Sequence, residues 1–401
     1  MYMANGRVGV VDLDTLEISE LELDEEWLLS GDAVSIAEKL LSDSGGDGFV
    51  LGSGILTASL VPAACAGFVL GSPQDRAKRI APLLGHAGAE FKLSGFDFLV
   101  IKGRASEPGY LWARDGMIEF VRAPEAKGFD SWGRTDKIRD SQGDKRIQVL
   151  SVGRWGDAGF DSSQFVVDYW GGEDKSGLGS ELGTRNLLAI AFRGMGEFEV
   201  SDPEGHLQAC LQIQAKQMAR MGRSFGIESY DAAFARGDFR QLVHRPIACF
   251  GCPFPCRSFL KIHEDPGVME HSHKEPGYLH YDIPALQKAL ESGMSAREAT
   301  EVLIKCARAG AEPVSVIAES MRSNGNASPS SIDRLLSSGR DVPKAGEDDL
   351  GGVFARSFGD GQSYMKCLGL GLCPRYWAKA GLDITAVSEC AEPAIGVPLK
   401  R

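Results

Sequence analysis

No stretch of this 401-residue chain comes near the roughly 18 uninterrupted apolar residues from which a membrane-spanning helix is read. The opening run MYMANGRVGVVDLDTLEIS has no cationic segment leading into an apolar one, so no secretory signal is expected. A Lys/Arg-rich block is missing too. With 43 Lys and Arg against 55 Asp and Glu the formal charge is −12, which argues against nucleic acid or an anionic membrane as the main partner. No internal repeat is evident. The cysteines do not come in an even set: there are nine, and without an export signal that count fits reduced thiols or metal ligation better than a disulfide framework. A cytoplasmic protein with no membrane insertion is the expectation. What is present is 43% hydrophobic content, enough to bury a sizeable core and to suggest two domains or slightly more.

The expected class is α+β. Short β-branched or aromatic runs bounded by Gly, Asp or Pro recur through the first half: Arg7–Leu13, Gly48–Leu51, Phe98–Lys102, Tyr110–Arg114, Met117–Arg122, Ile147–Val152 and Leu187–Phe192. The runs on either side of Asp115-Gly116 read as a β-hairpin with a type I′ turn. Residues 1–200 are therefore expected to form a two-sheet β-rich domain. From Asp202 the texture becomes helical, over Pro203–Met221, Pro284–Ser292 and Ala296–Ala309, the last with a Ser295/Glu298 capping signal. Residues 201–321 are taken as a reduced helical domain. Residues 322–352, polar and breaker-rich apart from a turn at Ile332–Leu336, are taken as a linker or mobile loop, and 353–401 as a short C-terminal segment.

Chemistry concentrates in the run CFGCPFPC, which holds Cys249, Cys252 and Cys256, and in LGLGLCPRY, which holds Cys373. Spacings this tight let one loop wrap three corners of a cubane cluster while a distant residue supplies the fourth, so the four are read as ligands of one [4Fe-4S] cluster. Pro253 and Pro255 stiffen the loop and remove backbone donors. Cys367 competes with Cys373 for the fourth place. A zinc knuckle completed by His244 or His263 is the alternative. Cys65, Cys210, Cys306 and Cys390 are read as ordinary buried thiols.

Weaker signals accompany these. Glu270, His271, His273, Glu275 and His280 have metal-ligand chemistry but sit in a polar, loop-like segment, so they are read as a solvated loop and no metal is assigned there. The small-residue loop Ser176-Gly177-Leu178-Gly179-Ser180 would let a backbone approach phosphates, or serve as a simple turn. His244, His263 and Arg257 near the cysteine loop are expected to tune a cluster potential.

Taken in order, LGSGILTAS (51–59), LGSP (70–73), GAEFKLSGFDFLVIKGRASEPGYLWARDG (88–116), SVGRWGD (151–157), SGLGSELGTRNLLAIAF (176–192), the CFGCPFPC run and GLC (371–373) resemble the tungsten-containing aldehyde ferredoxin oxidoreductase family. The likeness is recurrent to about residue 256 and thin afterwards. It implies an N-terminal two-sheet base for a bis-pterin tungsten cofactor, helical domains closing over it, and one [4Fe-4S] cluster exchanging electrons with ferredoxin or a partner iron–sulfur subunit. Carried over, the cluster ligands are Cys249, Cys252, Cys256 and Cys373, and the pterin contacts are Lys175, Ser176, Gly177, Glu312, Gly371 and Leu372.

The departures from the family pattern are as informative. A phosphate-binding arginine falls on Cys65, the magnesium-anchoring Asn-Ser-Gly-Gly stretch on Pro82-Leu83-Leu84-Gly85, and an Arg-Gly-Gly on Lys175-Ser176-Gly177. The aspartate before Gly-Leu-Cys falls on Leu368, and the catalytic glutamate near Leu279 or His280. Removing a charge-assisted hydrogen bond to phosphate costs about 1.5–3 kcal/mol each time. The expectation is a shortened, divergent member with a degraded tungstopterin site, acting in electron transfer or as a scaffold beside a catalytic oxidoreductase subunit in an oligomer. The competing readings are an active tungsten or molybdenum enzyme acting on an aldehyde, acid or thioester, and a zinc-stabilised interaction protein.

Overall fold

The computed structural model describes residues 2–71, 78–169, 171, 173–221, 238–261, 277–280, 283–344 and 361–399. Its first sheet contains β1 (Arg7–Asp12), β2 (Glu17–Glu22), β3 (Phe49–Ser53), β4 (Gly67–Gly71), β5 (Arg79–Leu83) and β6 (Phe98–Lys102), in the order β2-β1-β6-β3-β4-β5. Only the β1–β6 pairing is parallel. Every residue of β3 and β4 is buried, which explains why FVLGS and GFVLG read as continuous apolar runs without alternation. The outermost strand β2, EISELE, is almost wholly exposed, and its acidic residues discourage edge-to-edge pairing.

The second sheet contains β7 (Gly109–Arg114), β8 (Met117–Arg122), β9 (Gln148–Val152), β10 (Phe165–Val167) and β11 (Leu187–Arg193), ordered β10-β9-β11-β7-β8. The expected hairpin is β7–β8. Arg114 pairs with Met117, and Asp115 (φ 46°) and Gly116 (φ 78°) both take the left-handed backbone a type I′ turn requires. All seven strands expected from the sequence form. The α+β class holds, with the two sheets in residues 7–193 and a largely helical remainder.

Among the described residues, two of three cores organise most of the helices, the third packing Ile138 of helix Ser131–Gln142 on the second sheet. The larger joins both sheets to helices Ala33–Asp43 and Pro203–Met221 and to the C-terminal helices Gly361–Leu370, Pro374–Ala380 and Ile384–Ile395. The smaller gathers Trp132, Trp155 and Tyr169 against helices Ile283–Glu291, Ala296–Ala309, Pro313–Asn324 and Pro329–Ser337. Chain order and packing thus diverge: the last helices of the chain close on the first sheet.

Two local expectations need correction. Much of the stretch taken as a linker is ordered packing: helix Pro329–Ser337 starts at a Ser328 cap with Pro329 in its first turn, and Ala327, Ile332, Leu336 and Val342 are buried in the smaller core. The breaker-rich sequence there is helix punctuation, a capping serine followed by proline. In addition, the helical half contains a third sheet of β12 (Val243–Ile247), β13 (Arg257–Lys261) and β14 (Gly277–His280). His263, Glu270, His271, His273 and Glu275 lie outside the described residues, as do 345–352 of the expected linker.

Candidate metal centre

The CFGCPFPC run is the loop of a hairpin. Strands β12 and β13 pair antiparallel with Ile247 opposite Arg257, so residues 248–256 form the connection that carries three cysteines. Gly251 turns the chain at φ +59°, and the Cys252 N–H donates to the Cys249 carbonyl at 3.1 Å. The two prolines contribute no competing donors. Where the loop meets the first sheet, the Phe250 N–H donates to the Gly85 carbonyl just beyond β5 (2.9 Å), and the Phe250 ring stands edge-on to His86. A buried ion pair, Arg257 to Glu173 at 2.9 Å, fastens the other end.

Cys373 arrives from the opposite side. Helix Gly361–Leu370 ends at Gly371 (φ +86°), and Cys373 then caps the next helix, whose first residue is Pro374. Close backbone approach locks this turn against the segment between β3 and β4: Leu56 N–H donates to Leu370 (3.1 Å), Ala66 N–H to Gly371 (3.0 Å) and Cys373 N–H to Ala63 (2.9 Å). A methyl on Gly54 would come within 2.1 Å of the Gly371 nitrogen, so glycine is required there by space. Lys92, fully buried in the AEFKLSGFD block, braces the same turn by donating to the Gly54 and Ile55 carbonyls at 2.9 and 2.7 Å.

The hairpin and the turn bring sulfurs together. Cys249, Cys256 and Cys373 are buried and Cys252 is half-buried. Cys65, also fully buried, lies close enough to Cys249 and Cys373 to be coupled to both. Those two neighbours, reinforced by burial, push the Cys65 thiol well above its usual range. Cys65 in turn pulls Cys249 down to about 5, against the cost of burial and with help from Arg257, and lowers Cys373. Burial raises Cys256 to about 11 even though Arg375 and Arg257 oppose the rise. Two guanidinium groups therefore face a sulfur-rich, water-poor volume. Cys367 is also fully buried and close enough to Cys373 to feel its charge. Among the described residues no three His, Cys, Asp or Glu side chains meet at a point fit for one metal ion. In a cubane each thiolate binds a different iron, so such a meeting point is not required.

Cys210 and Cys390 are not isolated either. They lie close enough to be coupled to each other, and His206 lies 3.6 Å from the Cys210 sulfur. Cys306 sits in the smaller core.

The remaining sequence candidates sit in a different environment. Ser176 and Gly177 begin the turn into helix Leu178–Thr184, and the amides of Ser176, Gly177, Leu178 and Gly179 all donate to the Asp174 carboxylate at 2.9–3.2 Å. The Ser176 hydroxyl and the Phe165 amide add two more donors to the same group. Asp174 is completely buried. An amide cradle of the kind that takes a phosphate here holds the chain's own carboxylate. Lys175 pairs with Glu312 at 2.8 Å, while Glu312 caps helix Pro313–Asn324 through the Val314 and Ser315 amides. Gly371 and Leu372 have their backbone groups taken up by Leu368, Ala66 and Cys367. Leu368 is buried, and β14 carries Leu279 and His280 alongside Phe259 and Ser258.

The family model described as aldehyde ferredoxin oxidoreductase, N-terminal domain, matches residues 8–194. These residues are similar to that domain. The chain is 28% identical over 215 residues to a tungsten-containing aldehyde ferredoxin oxidoreductase of Pyrococcus furiosus, covering 51% of this chain and 36% of that protein. With the Thermococcus kodakarensis protein of the same description it is 26% identical over 288 residues, 69% of this chain and 45% of the other. The chain thus spans less than half the length of these relatives. In fold it is similar to a chain of the active site complex BamBC of benzoyl coenzyme A reductase, with a TM-score of 0.71 at 18% identity, covering 84% of this chain and 61% of that one. Cys65, Lys92, Glu173 and Asp174 lie within the matched residues, whereas the cysteine hairpin and Cys373 lie beyond them.

Reasoning from sequence missed Cys65, Lys92, Glu173, Asp174 and Arg375. Only Asp174 carried a usable local signal, an acid two to five residues ahead of small residues entering a helix.

Proposed function

We propose that this chain is an electron-transfer or scaffold subunit of an oxidoreductase complex, carrying one [4Fe-4S] cluster on Cys249, Cys252, Cys256 and Cys373 and no tungstopterin. The observation that carries the reading is the contrast between two sets of donors. The sulfurs converge on one another with Arg257 and Arg375 beside them, a donor set whose chemistry fits a cluster of net negative charge. The amides at Ser176–Gly179, where the resemblance puts pterin contacts and the small-residue loop would let a backbone approach phosphate, are already satisfied by Asp174. The residues do not fit the pterin: a dianionic phosphate brought to that turn would face a buried carboxylate, and no step is assigned to such a cofactor.

When bound, the cluster supplies reversible one-electron exchange. The protein's part is to hold four thiolates with little rotamer freedom, keep water from most of the sulfur, and balance charge. Pro253 and Pro255 restrict the loop, the Phe250–Gly85 and Cys373–Ala63 backbone bonds set the distance between its two halves, and Arg257 and Arg375 offset the thiolate charge. Cys252, the one ligand only half-buried, marks the side from which an electron would enter or leave. A partner iron–sulfur or catalytic oxidoreductase subunit is the expected redox mate, with ferredoxin as the other candidate. The likeness to a chain of a reductase complex, and the match to a Pyrococcus furiosus protein named aliphatic sulfonate oxidoreductase, WOR-like subunit, at 26% identity over 234 residues, support the subunit reading.

A second reading, an active tungsten or molybdenum pterin enzyme acting on an aldehyde, acid or thioester, is favoured by the domain match over residues 8–194. A reductive titration of the anaerobically purified chain separates the two. Uptake of about one electron per chain, with the spectrum of a reduced [4Fe-4S] cluster and no heavy-metal signal, is the expected result. A tungsten or molybdenum signal that responds to aldehyde would overturn the proposal.

A further inference from the structure

A groove of about 380 Å³ opens where the segment after β3, the end of helix Ala87–Leu93 and the start of helix Pro203–Met221 meet, a volume within the range of small-molecule sites. Its walls are mostly apolar, from Met3, Leu60, Leu93, Phe198 and Val200. They are already in place. The Gly196 N–H donates to the Leu93 carbonyl at 3.2 Å, where a methyl on Gly196 would come within 2.7 Å of the same oxygen, and the Lys92 ammonium lies 5.1 Å from the centre of the Phe198 ring. Two lining residues, Met3 (φ 59°) and Ala58 (φ 68°), hold the left-handed backbone that side chains disfavour. Each is pinned there, Met3 by donating its N–H to Glu199 (3.1 Å) and Ala58 to Ala64 (2.8 Å). Strain held in place by surrounding contacts in this way collects at ligand clamps.

Two buried polar side chains line the same groove. His206 is 1% exposed, and its Nδ1 stands 2.7 Å from the Cys390 carbonyl. A carbonyl oxygen only accepts, so Nδ1 carries the proton and the neutral ring keeps a lone pair at Nε2. Among the described residues that lone pair meets only the Cys210 thiol, a weak donor 3.9 Å away. Ser59, 7% exposed, accepts the Val61 N–H at its Oγ (3.2 Å), which leaves the hydroxyl proton to donate. One donor and one acceptor between apolar walls match a hydroxyl, which can take the Ser59 proton and give its own to His206. Charge is selected against. Among the described residues no Lys or Arg lines the groove, the exposed Glu197 at its rim repels an anion, and an ammonium would leave the Ser59 proton without an acceptor. We propose that this groove binds a neutral molecule with an apolar body and a hydroxyl end, of the size of a short-chain or aromatic alcohol. No cysteine lines it among the described residues, so the site is independent of the cluster assignment.

Titration of the full-length chain with 1-hexanol and with hexanoate, followed by saturation-transfer nuclear magnetic resonance, tests the site in the wild type, Ser59→Ala and Val200→Trp. Val200 is half-buried in the groove wall, so a tryptophan there fills the groove from its solvent side. The wild type should bind 1-hexanol saturably and hexanoate at least about tenfold more weakly, because a carboxylate would lose its hydration between apolar walls. Ser59→Ala should weaken 1-hexanol roughly three- to tenfold, the loss of one neutral hydrogen bond. Val200→Trp should abolish saturable binding with unchanged far-ultraviolet circular dichroism. Absence of saturable 1-hexanol binding to the wild type overturns the proposal, as does binding that Val200→Trp leaves intact. Hexanoate bound as tightly as 1-hexanol, or an affinity unmoved by Ser59→Ala, overturns the assignment of a neutral hydroxyl ligand.

Discussion

The cysteine hairpin and the Asp174 turn both gather several polar donors around a small volume, and they do so to opposite ends. At the turn, every amide from Ser176 to Gly179 ends on a buried carboxylate of the same chain, so the anion is built in. At the hairpin, the buried groups are thiols whose closest polar partners include one another, with arginines to offset negative charge. A chain that fills one cradle with its own atoms and lines the other with sulfur has separated two functions that the family resemblance joins. The first cradle contributes stability and the second suits a metal cluster.

Removing one sulfur challenges this contrast most severely. Cys256→Ser should lose most visible absorption and most iron, while the circular dichroism of the sheet domain stays the same; a spectrum that survives unchanged contradicts the ligand assignment. Next in size is Asp174→Ala. It leaves buried amides without an acceptor and should cost at least about 3 kcal/mol in denaturant unfolding. Added inorganic phosphate should then raise the melting temperature of Asp174→Ala and not that of the wild type, because only the variant has an open amide cradle. Equal responses would mean that the carboxylate does not stand in for an anion.

Lys92, which braces the turn beside the sulfurs, distinguishes the two regions through pH. Burial holds its ammonium down at about 8, whereas the unfolded chain keeps that proton to about 10.4. Below pH 8 both states are protonated and the folded state carries the full penalty. Between the two values the unfolded state binds more protons, so stability rises with pH, by up to about 3 kcal/mol. Lys92→Met should lack that rise, seen as a difference in unfolding free energy between the two proteins across pH 8 to 10.5. Parallel profiles would show that the Gly54–Ile55 turn is braced by something else. The smallest effect concerns a helix end in the smaller core: Ser295→Ala removes a capping box and should cost about 1 kcal/mol with no change in iron content.

Sequence patterns report what is local, and the molecule divides on that line. The hairpin at Asp115-Gly116, the capped helix Ala296–Ala309 and the tightly spaced cysteines could all be read because the residues that define each are neighbours in the chain. Strands β4 and β5 escaped because β4 is short and bounded by glycine at both ends and β5 carries Pro82, and helix Pro329–Ser337 because its serines and proline look like loop residues when its packing partners are unknown. The place of Cys65 beside Cys249 and Cys373 could not be read at all. Its position depends on a left-handed turn at Ala63 and on backbone bonds to Gly371 and Cys373, none of which leaves a mark on the residues around it. The charge pairs Lys175–Glu312 and Arg257–Glu173 were invisible for the same reason, since each joins segments that only the fold brings together.

Metal content per chain is the decisive quantity. Anaerobic purification followed by measurement of iron, sulfide, tungsten and molybdenum should return about four irons and four sulfides per polypeptide with neither heavy metal. Tungsten or molybdenum at one per chain would contradict the account, because it would require a pterin to bind where Asp174 already occupies the cradle.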